Sequence, residues 1–453
     1  MPTISTLSVE LIREICHHMR DGDDQVDSKR DWALEQIALT SLCRTCKALD
    51  QIARPVLYKR IEISLKKATL MSLIRTLASR GDLSRGVQYL KLKSDDDPYY
   101  KSMLSNTDIA TCTGVFQRWW PEGVDHLACY YALCARSKLA DVLYILVPNA
   151  ETMHICPALS RSRRQQQREV TPSGIFSQIC QLRKALHEPS LAPPLGRLTL
   201  LDVGCNENSD WYDGWNYKSI FPLPPVSLVS LTIRRFSWSG GTECTHVNLR
   251  DIALYNCFVD SNGMDQLMTT CRGLRKFAYT AAVGHGVALK KCVTALKDHA
   301  HTLTDLYLLV PGGVPPGAFD DSFHSFTSLR TLSVHPLDII GNGWDPKQTD
   351  MKKVIDRLPQ SLEVFRLIEW SPVVSQDLVR LGEMASTGDL PNLRLLEVRR
   401  HHTSASLSVE VNHIKDALVD FEAGKFMLPL RISVCDGDGR DPSSESTLQV
   451  LCL

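Results

Sequence analysis

The fold of this chain is decided by a short repeated stretch, of which Leu249-Arg250-Asp251-Ile252-Ala253-Leu254 is one copy. In each copy an apolar residue is followed by two other residues, a second apolar residue, one further residue and a third apolar residue. The alternation at the end of the stretch is typical of a β-strand with one buried face. The next copy, Leu274-Arg275-Lys276-Phe277-Ala278-Tyr279, has the same spacing. The stretch therefore predicts a recurring strand.

Ten copies of this signature occur along the chain, and the later ones are separated by roughly 21 to 33 residues. The copies are Val87/Leu90/Leu92, Ala150/Met153/Ile155, Leu198/Leu201/Val203, Leu228/Leu231/Ile233, Leu249/Ile252/Leu254, Leu274/Phe277/Tyr279, Leu303/Leu306/Leu308, Leu329/Leu332/Val334, Leu362/Phe365/Leu367 and Leu393/Leu396/Val398. Segments between them have helical periodicity, as in Leu289, Val293 and Leu296. A strand followed by a returning helix, repeated, stacks into a solenoid in which neighbours bury each other's apolar faces.

These copies resemble the irregular leucine-rich repeats that commonly follow an F-box in fungal proteins, and their spacing is about that of such repeats. The asparagine or cysteine of the standard repeat is mostly missing, and Asn256-Cys257 is its nearest counterpart. The predicted fold class is therefore α/β, with a short N-terminal helical module followed by an irregular leucine-rich-repeat solenoid. Its parallel strands would carry helices on the outer face.

The first sixty residues predict two or three short amphipathic helices. Leu11, Ile15 and Met19 recur at helical spacing, and Ser8 is suited to cap the first helix. A second apolar run from Leu34 to Ala53 is expected to stop at Pro55. So small a cluster must pack on the rest of the chain, on a partner, or on both.

This N-terminal module resembles an F-box. Its matching residues are Leu7, Glu10, Leu11 and Ile15, then Leu39, Leu42, Cys43 and Arg44, then Pro55, Leu57 and Tyr58. The resemblance implies that the module docks on the linker subunit of a cullin–RING ubiquitin ligase. It also implies the partner-binding residues, which are Leu7, Glu10, Leu11, Ile15, Leu39, Leu42 and Cys43. The sequence departs from the family at Ser8, where proline is usual, and at an acidic insert, residues 21–31.

The predicted domain organisation has three parts. Residues 1–60 form the F-box-like module, residues 61–435 the repeat solenoid, and residues 436–453 a flexible tail, since Asp436-Gly437-Asp438-Gly439 opens a polar stretch. Two insertions interrupt the repeats, a polar run with four arginines at residues 160–169 and a segment rich in aromatic residues at 207–225. The arginine run is either an exposed loop or a patch for nuclear import or an acidic partner.

Composition narrows the classes of function. The 51 basic and 51 acidic residues cancel, so nothing indicates a nucleic-acid or anionic-membrane partner. No signal-peptide layout and no membrane-spanning apolar run are found in the sequence. Fifteen cysteines lie in apolar stretches without a disulfide framework, which favours reduced thiols and a cytoplasmic or nuclear location.

No catalytic, cofactor or metal site is predicted. Cys43 and Cys46 have the CxxC spacing of a zinc or redox site, but no second pair completes it and both fall on an apolar helical stripe, which favours core packing. Nucleotide-binding and hydrolase motifs are missing from the sequence. We therefore expect a binding protein without cofactors rather than an enzyme.

The candidate target-binding residues are four aromatic side chains, Trp211, Tyr212, Trp215 and Tyr217. Tryptophan and tyrosine are enriched at binding hot spots, but the same cluster is equally suited to cap the solenoid face.

Two functions remain. One is a substrate-recognition subunit of an SCF-type cullin–RING ubiquitin ligase, which holds an unknown target near a charged enzyme. The other is a leucine-rich interaction scaffold outside a ligase, which the Ser8 and insert departures favour.

Overall fold

The structure is a computed structural model with two compact units, Met1–Glu207 and Asn208–Leu453. It describes residues 7–18, 29–64, 66–93, 105–119, 142–155, 196–204, 227–234, 237–238, 248–282, 289–309, 323–335, 358–368, 375–401, 430–435 and 447–452. The sequence predicts a boundary near residue 60, whereas the division between the units falls at 207. The N-terminal helices belong to the first unit because its third helix packs on the elements that follow it.

The first unit begins with three helices, α1 (Val9–His18), α2 (Lys29–Thr45) and α3 (Lys47–Lys59). Both α1 and α2 pack on α3. The predicted cap of α1 is confirmed, since the Leu11 amide donates to the Ser8 hydroxyl at 3.2 Å. One apolar cluster joins the three helices, and its buried members are Ile12, Cys16, Leu39, Leu49, Ile52, Ala53 and Val56.

The second apolar run forms two helices, because α2 ends at Thr45 and Cys46 takes an extended conformation before α3. The three helices agree with the predicted two or three. The predicted stop at Pro55 is wrong, since Pro55 lies inside α3. Proline removes one hydrogen bond from a helix interior, but Val56 beyond it is buried. The burial of this residue favours continuing the helix past the proline.

A parallel sheet completes the first unit. Its strands are β1 (Arg60–Ser64), β2 (Tyr89–Lys93), β3 (Thr152–Ile155) and β4 (Leu200–Val203), paired in chain order. Helices α4 (Lys67–Ser79) and α5 (Gly81–Gly86) lie between β1 and β2, and α6 (Asn106–Trp119) follows β2. The register aligns buried Ile61, Leu90, Met153 and Leu201 across the strands.

The second unit is a longer sheet with helices in its connections. Its strands are β5 (Ser230–Arg234), β6 (Ser237–Trp238), β7 (Asp251–Val259), β8 (Lys276–Ala281), β9 (Asp305–Leu309), β10 (Thr331–Val334), β11 (Val364–Ile368), β12 (Leu395–His401), β13 (Leu430–Cys435) and β14 (Thr447–Cys452). Its described residues include the helices α7 (Ser261–Thr270), α8 (Leu289–Leu296) and α9 (Ser375–Thr387), with 3-10 turns at Lys297–His299 and Phe323–Ser325. Strands β5 and β7 to β13 pair in parallel in chain order, and the short β6 pairs with β7.

The core of the second unit lies on one face of its sheet. Aligned apolar residues of successive strands are buried, namely Leu231, Ile252, Phe277, Leu306, Leu332, Phe365 and Leu396. Helix α7 packs against α8 and buries Met264 and Leu267. All ten copies of the signature coincide with parallel strands of the two units, so the α/β class and the parallel sheet are confirmed.

The structure differs from expectation near the C-terminus. The predicted tail, residues 436–453, contains β14, which pairs antiparallel with β13. The apolar alternation of Leu448, Val450 and Cys452 gives the strand its pattern.

Candidate functional site

The N-terminal helices expose apolar side chains to an unusual degree. Among the residues whose side chains the structure describes, the exposed large hydrophobic ones all lie in α1 and α2. They are Val9, Leu11, Ile15, Leu34 and Ile37, with exposed fractions of 49, 44, 42, 64 and 62%. We call these five side chains the apolar helical surface. Exposed apolar side chains that lie together mark sites where a protein meets a partner, and Leu11 and Ile15, four residues apart on α1, share one helix face.

Helix α1 has two neighbouring apolar stripes with different roles. Ile12 and Cys16 are four residues apart and face the helical core. Leu11 and Ile15 have the same spacing, so they also share a face, but they remain exposed. The Lys59 ammonium donates to His17 Nδ1 at 3.3 Å and ties the end of α1 to the end of α3. The helix is therefore anchored by its core stripe and its C-terminal end while it presents Leu11 and Ile15.

The structure separates the predicted partner-binding residues into three groups. Leu11, Ile15 and Glu10 are exposed, and Leu7, Leu42 and Cys43 are partly buried against the helical core. Leu39 is only 2% exposed. It packs inside the module, so it supports the apolar helical surface rather than forming part of it, and we leave it out of the docking residues proposed below.

Leu34 and Ile37 are not among the predicted partner-binding residues, although both stand in the apolar run of the second helix. The F-box pattern directs attention to the residues that follow them, Leu39 to Arg44. Their exposure could not be inferred from apolar periodicity, because a periodic run does not say which of its members face the core.

The surroundings of Cys43 disfavour a reactive thiol at this position. Burial, reinforced by the nearby Asp50 carboxylate, raises the pKa of the Cys43 thiol to about 11. A thiol with so high a pKa is protonated at neutral pH and is neither a good nucleophile nor a ready metal ligand. Cys46 is exposed at the break between α2 and α3, which corrects its predicted place on the apolar stripe. In the described part of the chain no group of His, Cys, Asp and Glu side chains is arranged to hold a metal ion.

Two other candidates lie outside the described residues. These are the aromatic cluster Trp211, Tyr212, Trp215 and Tyr217, and the arginine run at 160–169. Both stay predictions from sequence.

A second surface, which sequence reasoning missed, is an open groove of about 410 Å³ on the sheet of the second unit, lined by both polar and apolar side chains. It crosses successive strands from β5 to β11. Small side chains on β5, β7, β8 and β10 line it, namely Thr232, Ala253, Ala278 and Ser333, together with Tyr255 and Tyr307. These residues alternate with the buried apolar positions of the repeated signature. The signature therefore predicts that their side chains point away from the core, but it does not predict that they line a common groove.

Charged residues occupy one end and one side of this groove. Asp251, Lys276 and Asp305 are aligned on neighbouring strands. Burial raises the pKa of Asp251, and the cations of Lys276, Arg275 and Arg250 act in the opposite direction. The groove therefore has carboxylates inside and several cations close to them.

Comparison with known proteins adds no assignment: no family model matches the chain, and no curated protein matches it. None of the helices among the described residues is long and apolar enough to cross a membrane.

Proposed function

We propose that this protein is a substrate-recognition subunit of an SCF-type cullin–RING ubiquitin ligase. Helices α1 to α3 would dock on the linker subunit, and the repeated strands would bind a target protein. The observation that carries this proposal is the apolar helical surface, because the described exposed large hydrophobic side chains are confined to the segment that resembles an F-box.

The energetics of exposed apolar residues support a partner at this surface. Burying one large apolar side chain contributes about 1.5 to 3 kcal/mol, and a few such residues at the centre of an interface supply most of its binding energy. Leu11 and Ile15 are exposed on a helix whose other apolar stripe is already buried. Helix α1 can therefore accept a partner without giving up its own core.

The remainder of the chain supports a recognition role. Its signature recurs as parallel strands, and it resembles leucine-rich repeats in period and in pattern. Each strand adds one row of outward-facing side chains to a rigid sheet, which provides an extended binding face. Chemistry would reside in the partner enzymes, and this chain would contribute by holding the target close to them.

The test is co-purification of the full chain with the ligase's linker subunit. We expect L11A/I15A to abolish capture of the linker subunit while the circular dichroism spectrum stays unchanged. The matched control is R13A/E14A, which alters two exposed residues of the same helix and should leave capture at the wild-type level. If L11A/I15A captures the linker subunit at wild-type strength, the docking surface is wrong. If the wild-type chain captures none, a leucine-rich scaffold outside a ligase becomes the better account.

A further inference from the structure

A row of exposed arginines runs across the strands of the second unit, at their N-terminal ends. The residues immediately before the signature strands are Val229, Arg250, Arg275, Thr304, Arg330, Glu363 and Arg394. Four of the seven are arginine, and all four are exposed. We call Arg250, Arg275, Arg330 and Arg394 the arginine row.

Backbone hydrogen bonds hold the row in register. The carbonyl of Arg250 accepts from the amides of Arg275 and Lys276, at 2.7 and 2.9 Å. The same double contact links Arg275 to Thr304, Thr304 to Arg330, Arg330 to Glu363 and Glu363 to Arg394. Because neighbouring strands lie about 4.8 Å apart, Arg275 and Arg330 are about 9.6 Å apart along the row, as are Arg330 and Arg394.

The arginine row lies one residue outside the groove along the strands. Arg250, Arg275 and Arg330 each directly precede a residue that lines it, while none of the four arginines is itself a lining residue. Arg250 and Arg275 also act on the pKa of Asp251, which places their charges near the groove's carboxylate. Arg330 is 3.7 Å from Glu363, but its side chain is 66% exposed. So exposed a pair is weak, and the carboxylate of a ligand can compete with it.

The groove itself suits an extended polypeptide. From β5 to β11 it spans five strand steps, about 24 Å, which is the length of about seven extended residues. Its small side chains, Ala253, Ala278 and Ser333 among them, allow a second backbone to come close to the sheet. Tyr255 and Tyr307 add apolar area with hydroxyl groups, as is common at protein interfaces.

The acidic residues of the groove argue against a continuous polyanion. Asp251 and Asp305 line the groove one and three strand steps from β5, and they would repel a nucleic-acid backbone. They would accept hydrogen bonds from peptide amides or hydroxyls. A ligand that fits both the arginine row and the groove's aspartates carries separated carboxylates on one side and hydrogen-bond donors on the other.

We infer that the groove and the arginine row bind an extended acidic segment of a protein, with carboxylates about three residues apart. The spacing follows from the geometry, since three extended residues cover about 10 Å and two strand steps cover about 9.6 Å. Each arginine–carboxylate contact is a charge-assisted hydrogen bond with defined geometry. This inference rests on the proposed function in that it names the chemistry of the recognised target.

The test measures binding of the full-length chain to a fluorescein-labelled twelve-residue peptide, with glutamate at every third position and serine and glycine between. We expect R275E to weaken binding about tenfold or more, which corresponds to the loss of one or two charge-assisted contacts. The matched control is R272E, three residues away after α7 and also exposed. It makes the same charge change off the row and should alter binding less than about twofold.

The outcomes separate this inference from the proposed function, because linker capture is measured on the same preparations. Loss of peptide binding in R275E with linker capture retained supports the arginine row. Equal binding by R275E and wild type overturns it, as does wild-type binding of a glutamine-for-glutamate peptide at the same strength. Tighter binding of a twelve-nucleotide oligothymidylate would overturn the assignment to a protein segment. A wild-type chain that binds the peptide but not the linker subunit would contradict only the ligase proposal.

Discussion

Arg366 and Glu397 form the best-buried ion pair of the second unit's described residues. They lie on the neighbouring strands β11 and β12 as register partners, and Arg366 Nε lies 2.6 Å from Glu397 Oε2. The Glu397 side chain is 3% exposed, so its charge depends on partners inside the protein. A buried carboxylate that loses its cation is costly, although the intact pair need not be more stable than an apolar one.

Replacing Arg366 with alanine should therefore lower the free energy of unfolding by about 3 kcal/mol, because Glu397 would keep its burial and lose this cation. Denaturant unfolding followed by circular dichroism measures the change. Arg394→Ala, at an exposed position just before the same strand β12, is the control and should stay within about 0.5 kcal/mol. Equal effects of the two substitutions would contradict the role given to the pair.

Acid should weaken the first unit through Glu62. Burial alone would raise the pKa of this carboxyl group, but hydrogen bonds from Lys93 and Arg60 outweigh it and leave the pKa lowered. A lowered folded-state pKa adds stability that is present above the unfolded value, about 4.3, and is lost as the pH falls through the folded value. We expect unfolding curves between about pH 6 and pH 3 to show less acid sensitivity in Glu62→Gln than in wild type. Parallel pH profiles would contradict this assignment.

At the scale of elements, α1 combines a structural stripe and a binding stripe that are adjacent on its surface. Ile12→Ala removes buried apolar atoms from the three-helix core and should cost about 2 to 4 kcal/mol. L11A/I15A should change stability by less than about 1 kcal/mol, since both side chains are already exposed. Thermal unfolding of the full chain, monitored by circular dichroism at a helix wavelength, compares the two. A larger loss in L11A/I15A would mean that Leu11 and Ile15 belong to the core.

Much of the fold could be predicted from sequence because each strand obeys a simple rule. Buried residues alternate with less buried ones at the start of β7, β8 and β9, so Ile252, Phe277 and Leu306 identify these strands and their register. The same reasoning failed at Pro55, where burial beyond the proline outweighs its local preference. It also failed to find β14, whose partner β13 was not recognised as a strand.

The candidate sites were only partly accessible to sequence reasoning. Periodicity identifies an apolar helix face but does not show which of its residues are buried in the core and which are exposed. The sequence alone therefore does not distinguish buried Leu39 from exposed Leu11. The arginine row has no periodicity in the chain, since its members are separated by segments of unequal length. It becomes visible only when the register aligns Arg275, Arg330 and Arg394 across the sheet.

At the scale of the whole molecule, each strand contacts mainly its neighbours. The strand at the end of a sheet therefore decides whether an edge is open to another chain. Strand β14 covers one side of β13 with antiparallel hydrogen bonds. An uncovered strand edge is a template for pairing with another chain. Ending the chain after Cys435 should therefore cause concentration-dependent self-association, measured by light scattering. A truncated chain that stays monodisperse at the concentrations used for wild type would contradict this.

The paired hydrogen bonds between the first residues of successive strands fix the distance from each strand to the next. Side chains at equivalent positions are therefore separated by whole multiples of the strand spacing, about 4.8 Å. Gain or loss of a complete repeat would change the distance between two arginines by one strand spacing, while a point substitution would remove one arginine without moving the others. Preference for a ligand should consequently change in jumps, and related chains that differ by one repeat should prefer charge spacings that differ by a fixed length.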